Sequence, residues 1–402
     1  MPAQPPPPTA ADLGLMDGAP PAPGGLVTLA NWQDPPFNRW GFQHVRELIP
    51  TARIERASSP RELPRDQRDL AGVAFEAEGR TWTLGEALDA TYTDGFLVLH
   101  RGQIVTELYR NGLSPSGTHL LMSVSKSITA TVVGILAGRG LLDPEAAVTS
   151  VLPELAGTSW DGATVRHLLD MRAGTRFNEE YADPTADVRV YEQIYLWRPR
   201  VDAGLPDDAC TYMAGLVNDR PHGGAFDYRS VLTDMLGWVV ERSGEARLAD
   251  LVTRELWGPM GAEFDAEITV DGHGNAMADG GVCATLRDLA RFGLVWLEGG
   301  GGVVPEAWVA DTLAGGEDSR EAFAASYGGN HLGGFYRNKW WVMDPSIPFY
   351  AGHGINGQHV FVHPPSEMVV AKLSTWPSAD DAALDRITDA AVRAVAAELA
   401  TG

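Results

Sequence analysis

Hydrophobic and polar residues alternate in short runs near both ends of the chain, as is typical of half-buried strands. Two pairs of these runs are separated by turn residues, Arg101-Gly102 in one pair and residues 364–367 in the other, and they predict β-hairpins. The predicted strands cover 96–100 with 103–109, 335–343, and 359–363 with 368–374.

The middle of the chain carries helical patterns. An apolar run over 120–140 ends in glycines and predicts a buried helix. Ser378 and Asp381 have the spacing of a capping box, which predicts a C-terminal helix to about Ala400. Further helical patterns cover 165–171, 230–242 and 248–256.

Strands at both ends with helices between them predict one sheet assembled from the two ends of the chain, with a helical insertion beside it. The expected fold class is α/β. The α/β part should cover about 26–122 and 261–402, and the helical lobe about 123–260, within one domain over 26–402. Residues 1–25 hold eight of the 27 prolines and predict a disordered tail.

Composition narrows the possible partners. The chain has 31 basic and 53 acidic residues, a net charge of -22, so neither nucleic acid nor an anionic membrane is expected as a partner. Its longest strongly apolar stretch, 128–137, is too short to span a bilayer. The first basic residue is Arg39, which argues against a signal peptide, and Cys210 and Cys283 are expected to be free thiols. We expect a soluble, cytoplasmic protein.

Ser123 and Lys126 are the sharpest chemical feature. Residues three apart lie on one face of a helix, so the two side chains can hydrogen-bond. If burial lowers the pKa of the lysine, its neutral amine can help to activate the serine hydroxyl. The alternative is a lysine at the start of the helix whose amine reaches solvent.

Tyr228-Arg229-Ser230 precedes an apolar helix and is the second feature. A tyrosine can pass a proton between a serine and a leaving group. The alternative is a tyrosine packed at the helix start, with Ser230 as its cap.

Closely spaced glycines over 352–357 match the dinucleotide fingerprint G-x-G-x-x-G. A strand pattern follows them where that fingerprint needs a helix, so we reject this interpretation. Glycines before a strand instead let a substrate lie along its edge, with a backbone N–H aimed at an oxyanion. The spacing of His353, His359 and His363 matches no usual zinc ligand set, and we expect no metal.

The order Ser-x-x-Lys, Tyr-x-Ser and a Gly-rich strand resembles the penicillin-recognising serine hydrolases, which include class C β-lactamases, DD-peptidases and related esterases. The resemblance spans about 90–375. It implies a β-lactamase/transpeptidase-like fold, a mostly antiparallel sheet flanked by helices plus a helical lobe. Other stretches similar to that superfamily are 164–174, 255–261 and 285–293.

A narrower set of motifs is similar to the 6-aminohexanoate-oligomer hydrolases, amidases of nylon oligomers that also cleave esters. These motifs are 31–40, 119–126, 178–184 and 372–377. The narrower resemblance runs from about residue 31 to 377.

The resemblance implies a role for each matching residue. Ser123 would be the nucleophile, and Lys126 and Tyr228 would share general base and acid work. The N–H groups of Ser123 and Ile355 would form the oxyanion hole. Tyr181, on a loop, would hydrogen-bond the amide nitrogen of the substrate.

Further substrate contacts are implied in the same way. Glu192 and Asp279 match pocket positions, where an acid would suit a substrate ammonium; a solvated acidic loop is the alternative. Gly354 would border the substrate. Trp340, with Trp341, would wall the pocket, and simple core packing is the alternative.

Two positions depart from the superfamily pattern. Gly352 stands where β-lactamases carry the lysine of Lys-Thr-Gly, so the cation that meets a substrate carboxylate is missing. Leu232 stands where an asparagine is usual, so a polar contact to Lys126 or to substrate is expected to be lost.

The function expected from these features is a serine hydrolase that cleaves small linear amides or esters through an acyl-enzyme, without metal or organic cofactor. The enzyme alternatives are a carboxylesterase with little amidase activity and a DD-peptidase or class C β-lactamase-like enzyme. A non-catalytic binding protein is the alternative from another class. The oligomeric state stays open, with a homodimer as one alternative.

Overall fold

The computed structural model describes residues 6–327, 334–344 and 346–401. In chain order its strands are β1 (Thr51–Ile54), β2 (Ala74–Ala77), β3 (Arg80–Thr83), β4 (Thr93–His100), β5 (Gln103–Tyr109), β6 (His119–Leu120), β7 (Ala266–Thr269), β8 (Val282–Ala284), β9 (Phe335–Arg337), β10 (Trp340–Asp344), β11 (Phe349–Gly354), β12 (Gln358–His363) and β13 (Met368–Ser374).

The helices alternate with these strands only in part. They are α1 (Asn38–Gly41), α2 (Leu84–Ala90), α3 (Val124–Gly138), α4 (Val148–Val151), α5 (Val165–Leu169), α6 (Asp187–Ile194), α7 (Ala209–Ala214), α8 (Val231–Gly244), α9 (Leu248–Leu251), α10 (Leu286–Leu297), α11 (Glu306–Ala314), α12 (Glu317–Tyr327) and α13 (Ala382–Thr401). A π-helical segment, Val252–Trp257, continues α9. From α3 to this segment every regular element of the described chain is a helix.

A seven-stranded sheet joins the two ends of the chain. Its order is β5-β4-β13-β12-β11-β10-β9, and every neighbouring pair is antiparallel. Both predicted hairpins, β4–β5 and β12–β13, are confirmed. Two smaller sheets accompany it, with orders β1-β7-β8-β6 and β2-β3.

Both faces of the large sheet are covered. Strand β4 is buried along its whole length, because alternate residues face two different layers. Phe96 and Val98 belong to a cluster that includes residues of α2 and α13. Leu97 and Leu99 belong to a larger cluster that includes α3, α8 and α10. The site described below lies on the side of this second cluster.

Glycines allow α3 to pack closely at its C-terminal end. A Cβ on Gly134 would lie 2.5 Å from the indole ring of Trp308, and one on Gly138 would lie 2.4 Å from Pro305. Side chains at these positions would push α11 away from α3.

The single strand predicted over 335–343 is wrong. The structure has two strands there, β9 and β10, paired through a tight turn. Asn338 and Lys339 both have positive φ, +50° and +62°, as a two-residue hairpin turn requires. The turn carries no glycine, so the sequence pattern runs through it without a break.

Two predictions about the ends of the chain also change. The prediction of a disordered tail is wrong for residues 6–25. Leu15 is 6% exposed and packs in the larger core cluster, and the Ala10 N–H donates to Asn111 Oδ1 at 2.7 Å. Residues 1–5 lie outside the described part of the chain. The C-terminal helix is confirmed, and the Asp381 carboxylate lies at its start, where it accepts from the N–H groups of residues 383 and 384.

Two observations bear on compartment and membrane. Cys210 and Cys283 are both free thiols. In the described ranges, no helix combines the length and apolar character that a membrane span requires.

Candidate active site

Ser123 lies at the turn between β6 and α3. Met122, just before it, has a φ of +47°, and Ser123 is the N-cap of α3. Lys126 follows one helical turn later, and its Nζ lies 2.8 Å from Ser123 Oγ. The structure therefore brings the two side chains together as their spacing predicted.

Lys126 is 1% exposed, and every N–H of its ammonium group has an acceptor. Nζ donates to Ser123 Oγ, to Ser230 Oγ at 2.9 Å and to the Asp279 carbonyl at 3.0 Å, and Asp279 Oδ2 lies 3.2 Å away. The amine of Lys126 therefore does not reach solvent. The alternative interpretation, a lysine whose amine is solvated at the helix start, is wrong.

The charge of Lys126 differs from the sequence-based expectation. Burial by itself lowers its pKa, but the charges of Tyr228 and Asp279 outweigh burial and raise the pKa above its ordinary value. Glu179 and Asp234 act in the same direction. The lysine is therefore an ammonium in this state of the site.

Tyr228 lies beside the same pair. Lys126 Nζ is 5.2 Å from the centroid of its ring, and Trp341 stacks on that ring at 5.8 Å. Burial raises the pKa of the Tyr228 hydroxyl, while the Lys126 charge and hydrogen bonds with Ser123 and Lys126 partly offset that rise. All three predicted catalytic residues are thus in one cluster.

Glu179 and the hydroxyl role of Ser230 were missed by the sequence analysis. Ser230 donates its hydroxyl to Glu179 Oε1 and its backbone N–H to Oε2, each at 2.5 Å. Burial raises the pKa of Glu179, against the effects of Lys126 and of these hydrogen bonds. No local pattern distinguishes Glu179 from the neighbouring Glu180.

Asp279 faces the lysine. Its carboxylate and carbonyl both contact Lys126, and its N–H donates to Asp234 Oδ1 at 3.1 Å. Burial and the Asp279 charge raise the pKa of Asp234 well above its ordinary value. This geometry makes Asp279 the counter-ion of Lys126, which differs from the expected contact with a substrate ammonium.

Glu192 is 3% exposed and is held by two arginines. Arg189 donates to both of its oxygens at 2.9 Å, and Arg198 donates at 2.5 Å. Arg189 also donates to the carbonyl of Tyr181. In this structure Glu192 therefore braces the Tyr181 loop, and its carboxylate is not open to a substrate ammonium.

Tyr181 points toward the cluster. Its hydroxyl donates to Glu179 Oε1 at 3.0 Å, and the Arg189 guanidinium lies 5.4 Å from the centroid of its ring. Through Glu179 and Ser230, Tyr181 is joined to Lys126 by an unbroken series of hydrogen bonds.

Comparison with known proteins is consistent with this cluster. The beta-lactamase family matches residues 85–394 of the chain. The chain belongs to the beta-lactamase family. A 6-aminohexanoate-dimer hydrolase of Paenarthrobacter ureafaciens is 40% identical over 368 residues, which are 90% of this chain and 91% of that protein. The resemblance predicted from the motifs is therefore confirmed, and this beta-lactamase-family protein is a hydrolase.

Two solved structures share the fold of this beta-lactamase-family chain. A Bacillus anthracis protein described as a candidate 6-aminohexanoate-dimer hydrolase has a TM-score of 0.85 at 25% identity, covering 93% of this chain and 97% of its own. A family VIII carboxylesterase has a TM-score of 0.57 at 18% identity, covering 77% and 96% of the two chains. The predicted α/β, β-lactamase-like fold class is confirmed.

The Gly-rich strand of this beta-lactamase-family site is β11. A Cβ on Gly354 would lie 3.0 Å from the backbone nitrogen of Ser123 and 2.6 Å from the carbonyl oxygen of Leu121. Only glycine lets the strand pass this close to the serine. Ile355, whose N–H is expected to serve the oxyanion hole, follows directly.

The two tryptophans of β10 have different surroundings. Trp340 is 0% exposed and packs against Trp296, with ring centroids 4.5 Å apart. It is core packing, the alternative stated above. Trp341 stacks on Tyr228 and is the tryptophan next to the reactive groups.

The two departures from the family pattern have different consequences. Leu232 is fully buried in the core, and the polar contact expected to be lost is made by Ser230. A Cβ on Gly352 would lie 3.0 Å from Ser127 Oγ and 3.1 Å from Val360, so the position has little space for a side chain.

Among the described residues, His353, His359 and Asp385 have ligand-type atoms within 4.8 Å of one another. Asp385 already pairs with His359 at 3.5 Å, and the buried Lys372 lies opposite His359 in the β12–β13 register. A metal ion bound to these residues would lie near the amine of Lys372, and a protonated amine would repel it. This cluster therefore gives no support for a metal in the beta-lactamase-family site.

Proposed function

We propose that this protein is a serine hydrolase that uses Ser123 to form an acyl-enzyme on small linear amides or esters. The observation that carries the proposal is the 2.8 Å contact of Lys126 Nζ with Ser123 Oγ, with Tyr228 beside both. A nucleophile in contact with its activating groups is what covalent catalysis requires.

The proposed first step is attack of Ser123 Oγ on the carbonyl carbon of the substrate. Lys126 carries three donated N–H groups and no spare lone pair, so it acts as a cation beside the reacting atoms. To take the serine proton, Tyr228 must start the step as a phenolate; burial disfavours that form, and the Lys126 charge and the hydrogen bonds with Ser123 and Lys126 favour it. The Tyr228 phenolate then takes the serine proton as the new C–O bond forms.

The tetrahedral oxyanion would be bound by the N–H groups of Ser123 and Ile355. As the bond to the leaving group breaks, Tyr228 returns its proton to the leaving nitrogen or oxygen. Water then attacks the acyl ester, gives a proton to Tyr228 and releases the acid, and Tyr228 returns the proton to Ser123. Each step balances without an added cofactor.

The substrate class is proposed from the Paenarthrobacter ureafaciens relative, whose name identifies the dimer of 6-aminohexanoate as its substrate. A linear amide of an ω-amino acid is therefore the first substrate to try, with short esters beside it. The proposal includes a cytoplasmic setting, which the two free thiols support. Assembly as a homodimer is a separate prediction that sedimentation analysis tests.

The experiment joins active-site labelling to hydrolysis. A fluorophosphonate should label the intact protein on Ser123, as peptide mass spectrometry would locate it. Ser123→Ala should lose both the label and at least about 10³-fold of the hydrolysis rate, because the covalent route is gone. The matched control, Ser116→Ala, changes an exposed serine outside the cluster. Retained hydrolysis in Ser123→Ala would exclude Ser123 as the nucleophile.

A further inference from the structure

We infer that Glu179 is a positioning residue that connects the substrate-facing Tyr181 to the Lys126 centre and thereby favours amide over ester cleavage. The inference rests on the proposed function. Its basis is the set of three donors around the carboxylate of the half-buried Glu179: the Ser230 N–H and hydroxyl, each at 2.5 Å, and the Tyr181 hydroxyl at 3.0 Å.

The first consequence concerns the direction of the Ser230 hydroxyl. This oxygen lies 2.9 Å from Lys126 Nζ and 2.5 Å from Glu179 Oε1. An ammonium only donates and a carboxylate only accepts, so Ser230 accepts from Lys126 and donates to Glu179. That arrangement fixes one N–H of the lysine on Ser230 and leaves another for Ser123.

The second consequence concerns Tyr181. Because its proton is directed to Glu179, the lone pairs of its oxygen are left to accept a hydrogen bond. A secondary amide has an N–H to donate at the scissile bond, and an ester has none. An oriented Tyr181 hydroxyl can therefore favour an amide substrate but not its ester analogue.

Glutamine is the informative replacement for Glu179. It has nearly the same shape but presents one oxygen and one NH₂ group to three donors. Its oxygen can satisfy the rigid Ser230 N–H, and its NH₂ group then faces the two hydroxyls. The Ser230 hydroxyl must turn toward Lys126, and the Tyr181 hydroxyl must turn toward the substrate. Both orientations oppose the ones that the carboxylate imposes.

Glu180 is a matched control for the same substitution. It is the next residue on the same loop, its side chain is exposed, and its carboxylate accepts from the Ala182 N–H at 3.1 Å. Glu180→Gln removes the same charge from the same loop without touching Lys126, Ser230 or Tyr181.

The experiment measures kcat and KM of Glu179→Gln, Glu179→Asp, Glu180→Gln and wild type on the linear aminohexanoate dimer and on a p-nitrophenyl ester. Loss of charge-assisted hydrogen bonds of this kind should lower kcat on the amide about 100-fold and on the ester about 10-fold in Glu179→Gln. The amide-to-ester ratio of kcat should therefore fall about 10-fold. Glu179→Asp keeps the charge and should recover part of the ratio, and Glu180→Gln should match wild type.

A double-mutant cycle with Tyr181→Phe supplies the coupling test. Tyr181→Phe should lower the amide rate and spare the ester, and its effect on the amide should disappear in the Glu179→Gln background. Far-UV circular dichroism and the melting temperature check that each variant is folded.

Every outcome separates the two proposals. An unchanged amide-to-ester ratio in a folded Glu179→Gln variant, or equal losses on both substrates with no rescue by aspartate, would overturn the role of Glu179 and leave the serine mechanism in place. Wild-type protein without Ser123-dependent hydrolysis of either substrate would instead overturn the proposed function.

Discussion

At the scale of single residues, the chemistry depends on the charged and polar groups that surround the buried ammonium of Lys126. Lys126 contacts Ser123, Ser230 and Asp279, and Glu179 and Asp234 lie close enough to raise its pKa. A lysine used as a neutral base needs the opposite environment, apolar or cationic. The surroundings therefore favour a division of work in which Lys126 supplies charge and Tyr228 moves the proton.

This division of work predicts strong non-additivity between Lys126→Met and Tyr228→Phe. Each change disables the same proton transfer, so each should lower acylation by about 10³-fold or more, and the double variant should be no worse than the poorer single variant. Stopped-flow measurement of acylation with a p-nitrophenyl ester gives the three rates. A double loss equal to the product of the single losses would show that the two groups act independently.

At the scale of elements, four segments each bring one part of the cluster. The turn from β6 into α3 carries Ser123, the start of α8 carries Ser230, β11 passes Gly354 close to the serine, and the 178–186 loop brings Tyr181. The loop is held by charge: Arg189 links the Glu192 carboxylate to the Tyr181 carbonyl. The position of the loop therefore depends on an ion pair that does not itself touch the nucleophile.

That ion pair predicts what Glu192→Gln does. Arg189 and Arg198 would face a neutral amide, and losing a largely buried charged contact costs about 1–3 kcal/mol. We expect a lower melting temperature and equal losses of kcat/KM on an ammonium-bearing and a neutral ester. Glu180→Gln is the control, and both substrates are measured at low and high salt. A loss confined to the charged substrate that shrinks with salt would mean that Glu192 reads substrate charge.

Strand β13 carries a pH-dependent element. Burial lowers the pKa of Lys372 to about 7, against the opposing charges of Asp94 and Asp385. In the unfolded chain the lysine pKa is about 10.4, so the unfolded chain binds more protons between the two values. The free energy of unfolding should therefore rise with pH from about 7 to about 10, by on the order of 1–4 kcal/mol from this group.

Lys372→Met keeps the length of the side chain and removes that titration. Urea unfolding at pH 7 and pH 9 should show a larger gain in stability for wild type than for the variant. The variant should be the more stable protein at pH 7, because it no longer buries an ammonium. Parallel pH dependence in the two proteins would contradict a depressed pKa for Lys372.

At the scale of the whole molecule, local features could be predicted from the sequence and distant contacts could not. The spacing of Ser123 and Lys126 is set by one helical turn, and the hairpins by short turns, so both follow from neighbouring residues. Glu179 meets Ser230 across 51 positions, and Lys126 meets Asp279 across 153. No pattern along the chain reports such pairings.

Other errors arose where a pattern fits two structures equally well. Trp340 and Trp341 are adjacent on a strand, so one of them must face the core, and sequence alone does not say which. The turn at Asn338-Lys339 lacks glycine and was hidden inside an apparently continuous strand. A few apolar residues, such as Leu15, pack the proline-rich start of the chain against the core. An argument from average composition does not detect single residues of this kind.

Charge over the whole molecule bears on the choice of substrate. The chain has a net charge of -22, and Glu179 and Asp279 lie close enough to Lys126 to raise its pKa. A substrate with a carboxylate near the scissile bond meets this field, and Gly352 offers no cation to offset it. An anionic β-lactam should therefore be a poor substrate even though the fold is that of the beta-lactamase family.

The measurement is kcat/KM on nitrocefin beside that on a neutral p-nitrophenyl ester. A missing charge-assisted contact to the ligand carboxylate should cost about 1.5–3 kcal/mol, or about 10- to 150-fold in kcat/KM. Gly352→Lys should not restore the activity, because a Cβ there would lie 3.0 Å from Ser127 Oγ and 3.1 Å from Val360, so the new side chain would displace β11 before its amine reached the ligand. Nitrocefin turnover comparable to that of the ester in wild type would contradict the expected preference, and recovery of turnover in Gly352→Lys would show that this position accommodates a lysine and that the missing cation sets the preference.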